Sequence, residues 1–179
     1  MTPAELAATC AHVMAVEYGE LAGKRVLDLG CGTGMLSAAV LAYGAKEVVG
    51  VDIDQGLCEL YCDNLAHVSD EPAVFVHRDV VNDSLVDLGE FDVAVVNPPF
   101  GTKNNEGIDV VFLEKALSCA RVVYSMHKSS TREYFRTKYA GRIKFLSQMK
   151  FEIPKSYSFH RKESVHVLVD LIRVENRVS

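Results

Sequence analysis

Two rhythms of apolar residues alternate along this chain. Short β-branched runs with few charges read as strands of a parallel sheet; they are Lys24–Leu29, Glu47–Asp52, Ala73–His77, Phe91–Val96 and Arg121–Met126, of which Phe91–Val96 reads as buried on both faces and Ala73–His77 as an edge. Between them, apolar positions recur with the period of one helix face. Leu6, Cys10, Val13, Met14 and Tyr18 form the first such face, closed by Gly19. A second helix leaves a glycine turn at residues 30–34 and runs to about Tyr43, with Gly44 as its stop. Leu57, Leu60, Tyr61, Asn64, Leu65 and Val68 mark a third, and Val110–Cys119 a fourth. Ile143–Phe151 and Ser164–Val174 are extended runs with no helical pattern between them, which predicts an antiparallel hairpin. The alternation predicts an α/β domain: a doubly wound, mostly parallel sheet of seven strands, with that hairpin at its C-terminal end.

Helix starts are legible too. Thr2-Pro3-Ala4-Glu5 has a threonine to cap, a proline at the first helical position and a glutamate at the third, the pattern of a capping box. Ser130-x-x-Glu133 repeats the pattern at the head of a basic helix ending near Gly141. Only Met1 precedes Thr2, so a lead-in segment is expected to be missing.

Composition narrows the class. At 179 residues and 49% hydrophobic, the chain has enough apolar surface for one compact domain spanning residues 1–179. No apolar run reaches the length of a membrane span, and the first residues do not read as a signal peptide. A net charge of -5 argues against a generally basic nucleic-acid binder, yet leaves room for a local basic face. The five cysteines are odd in number and lack a C-x-x-C, so reduced core thiols in a cytosolic or nuclear protein are expected. Cys58 and Cys62 sit one helical turn apart with no second ligand pair, and no metal site is expected.

Candidate chemistry gathers at the strand ends, where open α/β sheets bind their ligands. The turn Gly30-Cys31-Gly32-Thr33-Gly34 lacks the dinucleotide spacing, because Met35 stands where the third glycine belongs. Asp28-Leu29-Gly30-Cys31-Gly32-Thr33-Gly34 resembles motif I of class I S-adenosylmethionine-dependent methyltransferases, a Rossmann-like fold. Asp52 ends the second strand and suits two ribose hydroxyls, with Ile53 following it. Asp79 follows the third strand and suits an adenine amino group, with the Val80 amide beside it. Asn97-Pro98-Pro99-Phe100 follows the fourth strand, where prolines cannot continue the ladder and fix the carbonyls stiffly. Two fixed acceptors beside an aromatic ring suit a planar ring bearing an amino group. The run resembles the Asn-Pro-Pro-aromatic motif of methyltransferases that modify exocyclic or amide nitrogens.

The resemblance then becomes specific. Asn97 through Asn105, Met126 through Glu133, Phe159-His160-Arg161-Lys162 and Val169 through Arg173 are similar to the small methyltransferase-like family that methylates adenine N6 in small-subunit ribosomal RNA. It implies S-adenosylmethionine as cofactor, held by Thr2, Asp28, Gly30, Gly32, Thr33, Gly34, Met35, Asp52, Ile53, Asp79, Val80 and Asn97. Catalysis falls to Asn97, Pro98, Pro99 and Phe100. Lys103, Lys128, Arg132, Arg161 and Lys162 are candidates to hold RNA phosphates; His127 and His160 are read as residues that orient loops. The resemblance further implies a heterodimer with a small zinc-containing activator, which adds a strand beside residues 73–77, and residence in nucleus and cytoplasm. It also implies an N-terminal extension covering the site. From the residues alone, N5-methylation of a protein glutamine and N6-methylation of DNA adenine stay open, as does a non-catalytic, cofactor-free binding subunit.

Overall fold

The computed structural model describes residues 2–99, 107–154 and 164–176. Its sheet has seven strands in the order β3-β2-β1-β4-β5-β7-β6. These are β1 (Arg25–Leu29), β2 (Glu47–Asp52), β3 (Ala73–His77), β4 (Phe91–Val96), β5 (Ala120–Lys128), β6 (Ile143–Pro154) and β7 (Ser164–Glu175). β1 to β5 pair in parallel, and β7 runs antiparallel to both β5 and β6. The helices are α1 (Ala4–His12), α2 (Met35–Ala42), α3 (Cys58–Ala66), α4 (Ile108–Cys119) and α5 (Arg132–Lys138). Among the described residues, no helix is long and apolar enough to cross a membrane.

Alternation along the central strands splits the core into two layers. Val26, Val48, Val93, Val95 and Tyr124 face α1, α2 and α3; Leu27, Leu29, Ala94, Val96 and Val123 face α4 and α5. Both faces are dry, which is why these strands read as unbroken apolar runs. The chain winds outward from β1 through β2 to β3, and from β4 through β5 on the other side. β1 and β4 are therefore neighbours at the point where the winding reverses, and a crevice opens beyond their C-terminal ends. Gly30 and Asn97 stand there.

Local close approach fixes two glycines. Gly34 begins α2 at φ 86, and a Cβ on it would collide with Leu65 Cδ1. Gly50 lies under Tyr61, whose Cζ would be 2.6 Å from a Cβ. Tyr61 thus lies flat across β2, locking α3 to the sheet.

Three expectations are corrected. The capping box at Thr2 does not form: Pro3 is the N-cap without a side-chain bond, and Thr2 turns its hydroxyl to Asn97 instead. The box at Ser130 is absent too, because a short 3-10 turn at Ser129–Thr131 precedes α5 and Thr131 Oγ1 donates to the Lys128 carbonyl. Leu60 and Val68 are exposed, so α3 buries only Tyr61 and Leu65.

Candidate active site

Two cavities open at the C-terminal ends of the central strands and share Gly30 and Asn97 in their walls. The larger, about 350 Å³, runs from Asp52 and Ile53 past Asp79 and Val80 to Pro99, Ile108 and Phe112. The smaller, about 250 Å³, lies over the turn Gly30–Thr33 and reaches Thr2, Met35 and Leu57. The parallel strands bring together residues that are far apart in sequence.

Asp52 organises the floor. Its Oδ2 accepts from the Gly32 amide at 2.8 Å, and its Oδ1 from the Asp54 amide at 3.0 Å. Each oxygen keeps a further acceptor site, which suits a vicinal diol. Gly32 sits at φ 55 with open space where a Cβ would project, so a ligand can approach the backbone there.

Asp79 has a structural task besides any ligand. Its carboxylate accepts from the Val81 amide at 2.8 Å and the Asn82 side chain at 2.7 Å, building the turn that carries buried Val80. The Asn82 amide, followed by that of Val81, holds the Asp79 carboxyl below its usual range.

Asp28 lines neither cavity. It is buried beneath the turn, where Ser37 Oγ donates to its Oδ2 at 2.6 Å and the Tyr61 hydroxyl donates to Ser37 at 3.0 Å. Desolvation pushes its pKa up to about 7, against the opposing bond from Ser37. Asp28 is thus a support of the turn rather than a wall of the cavity. Gly34 likewise packs inward against α3, while Thr33 is held by its carbonyl, which accepts from Asn64 Nδ2 at 2.9 Å.

Asn97 stands between the cavities. Its Nδ2 donates to Thr2 Oγ1 at 2.7 Å, and its Oδ1 is buried without a partner among the described residues. A buried amide oxygen without a donor is costly unless something supplies one. Pro98 is buried at the same strand end, and Pro99 is exposed in the larger cavity. Phe100, Lys103, Arg161 and Lys162 lie outside the described residues. Lys128 ends β5. Arg132 does not present its guanidinium freely: it forks onto Asp170, with Nε at 2.7 Å and Nη2 at 2.5 Å. Val81, Ile108, Phe112, Cys31 and Leu57 complete the walls and were missed by sequence reasoning. Ile108 and Phe112 carried a signal, one turn apart at the start of the helix after the Pro-Pro step.

A glycine turn, a strand-end carboxylate and a strand-end asparagine meet at the topological switch point of a Rossmann-like methyltransferase fold. The methyltransferase small domain family matches residues 9–121. The rRNA N(6)-adenosine-methyltransferase Mettl5 of Drosophila melanogaster is 39% identical over 97% of this chain and 84% of its own length. The rRNA N(6)-adenosine-methyltransferase metl-5 of Caenorhabditis elegans is also 39% identical, over 96% of this chain and 84% of its own. A candidate RNA methyltransferase from Pyrococcus horikoshii superposes with a TM-score of 0.77 at 33% identity, covering 96% of this chain and 84% of that one. The chain belongs to the methyltransferase small domain family, in its Mettl5-type branch.

Proposed function

We propose that the protein transfers a methyl group from S-adenosylmethionine to the N6 atom of an adenine in small-subunit ribosomal RNA. The observation that carries this reading is the buried Oδ1 of Asn97, without a partner among the described residues, beside the fixed Pro98-Pro99 step. Glycine turn, Asp52, Ile53 and Val80 form a groove of the right chemistry for the cofactor: an acceptor pair for the ribose and apolar walls for the adenine. When bound, the cofactor supplies an electrophilic methyl group on a sulfonium.

The chain's own residues do the rest. The adenine N6 lone pair is delocalised into the ring, so the amino group must be turned toward tetrahedral geometry. Asn97 Oδ1 and the Pro98 carbonyl accept hydrogen bonds from its two N–H groups and aim the lone pair at the methyl group. Phe100 stacks on the base. Positioning of this kind supplies a large part of such a barrier reduction. No strong base is needed, since the methylated ammonium sheds its proton readily. The base enters unpaired or flipped, and Lys103, Lys128, Arg161 and Lys162 are assigned to phosphates. The same proposal includes the zinc-containing activator added at the edge strand β3, and residence in nucleus and cytoplasm.

Labelled methyl transfer to small-subunit rRNA, with the product nucleoside identified, tests the reading. Wild type should yield N6-methyladenosine. Asn97→Ala should lose at least about 100-fold in rate while cofactor affinity stays within about threefold. A near-normal rate in that variant, or label on a glutamine or DNA adenine instead, overturns it.

A further inference from the structure

The end of β5 carries a histidine that the chemistry above does not use. His127 is 1% exposed, and its ring centroid lies 3.9 Å from that of Phe135 on α5. Its Nδ1 is 3.2 Å from Asp109 Oδ2, on the first turn of α4, and its Nε2 is buried without a partner among the described residues. Burial lowers the His127 pKa, outweighing the opposing pull of Asp109 and Asp170. The ring is therefore neutral near pH 7. Beside a carboxylate, its single proton belongs on Nδ1, which donates to Asp109. That bond is the first cause holding the Asp109 carboxyl below its usual range.

The pair sits where two segments of the site meet. β4 and β5 are parallel, with Val95 beside Tyr124 and Val96 beside Ser125. Pro98 follows Val96, and His127 follows Ser125, by two residues each, so both lie just beyond the last pair of that ladder. On the other side, Asp109 directly follows Ile108, and Ile108 shares the wall of the larger cavity with Pro99. His127 is thus placed at the strand end where β4 gives way to the Pro-Pro step, and is tied to the head of α4 through a hydrogen bond.

We infer that His127 is a positioning residue for methyl transfer, its Nδ1–H on Asp109 pinning the first turn of α4 against the Asn-Pro-Pro end of β4. The inference rests on the proposed function and adds a residue to it. Charged groups facing His127 are Asp109 from α4 and Asp170 from β7, the latter already paired with Arg132. Asp52, at the end of β2, and Asp79, two residues beyond β3, line the same cavity as Ile108 but are held by their own backbone bonds rather than by α4. Loosening the head of α4 therefore displaces the acceptor side of the site and spares the ribose reader.

Three variants test it: His127→Leu removes the donor, Asp109→Ala removes the acceptor, and His127→Asn keeps a side-chain N–H near the place of Nδ1–H. Each is measured by steady-state transfer to RNA, by titration with S-adenosylmethionine, and by amide exchange over residues 107–112. His127→Leu and Asp109→Ala should each lower kcat by about tenfold or more, with cofactor affinity within about threefold. Exchange over 107–112 should quicken in both. His127→Asn should restore at least about a third of kcat and normal exchange, and the double variant His127→Leu/Asp109→Ala should be no worse than the poorer single one. Wild-type kcat in His127→Leu, unchanged exchange, or equal losses in rate and cofactor affinity overturns the inference. If wild type transfers no methyl to RNA adenine, the proposed function fails, and exchange over 107–112 alone decides the clamp.

Discussion

Beneath the glycine turn, the Asp28 carboxyl has exchanged water for Ser37, whose Oγ donates at 2.6 Å, and its buried Oδ1 has no hydrogen-bond partner among the described residues. Its pKa in the fold, about 7, stands above the ordinary carboxylate value of about 3.9. The sign follows from the raised value: the fold prefers protonated Asp28. Its contribution is full below about pH 4 and is lost as pH rises through about 7, by up to about 1.4 kcal/mol per pH unit. Asp28→Asn stays neutral and keeps an acceptor for Ser37. Thermal unfolding of the ligand-free protein should show its advantage over wild type widening from pH 5 to pH 8, and parallel pH profiles would refute the assignment. Asp52 differs by its surroundings: two backbone amides hold it at the cavity wall. Asp52→Ala should weaken S-adenosylmethionine binding by about 1–3 kcal/mol, two hydrogen bonds at about 0.5–1.5 kcal/mol each. Calorimetry at undiminished affinity would remove Asp52 from the cofactor site.

Elements follow their local patterns wherever the apolar run itself sets the bounds of a strand. β2, β3 and β4 begin and end at the residues that their apolar runs mark out, and the hairpin of β6 and β7 pairs antiparallel as its pattern predicts. Local rules failed where a distant group competed. Thr2 has the sequence of an N-cap, but Asn97, 95 residues away, donates to its hydroxyl, and no local pattern carries that contact. Arg132 reads as a surface cation until Asp170, 38 residues on, is folded beside it. Leu60 and Val68 extend the apolar stripe of α3, yet that helix covers the outer edge of the sheet, where only a narrow face is buried. The glycines at the strand end and Asp52 were legible because spacing alone marks them; Ile108, Phe112 and the His127–Asp109 pair depend on how α4 packs. Gly34 joins both kinds of information. Its positive φ and its contact with Leu65 and Tyr61 make Gly34→Ala strained twice over. The variant should lose about 2–4 kcal/mol in denaturant unfolding, with cofactor binding weakened as the turn shifts. A loss below about 0.5 kcal/mol would show that α2 begins elsewhere.

For the whole molecule, the strand order leaves β3 at one margin of the sheet, with Val74 45% exposed. An edge of this kind offers unpaired backbone groups to another chain. Which groups are on offer follows from the ladder. Val48 donates to the Pro72 carbonyl and Arg78 donates to the Asp52 carbonyl, so residues 72, 74, 76 and 78 turn their backbone toward β2. Ala73, Phe75 and His77 therefore turn their amides outward. A proline at Val74 would damage the protein's own sheet, whereas Ala73→Pro removes one outward donor and alters a small side chain. If the proposed activator adds a strand here, Ala73→Pro should weaken the complex by about tenfold or more. Cofactor affinity and the unfolding temperature of the isolated chain should stay near wild type, because no bond of β3 to β2 is lost. Co-expression followed by gel filtration and titration of the purified partners checks this. Stoichiometric copurification at unchanged affinity would mean that the activator binds another face.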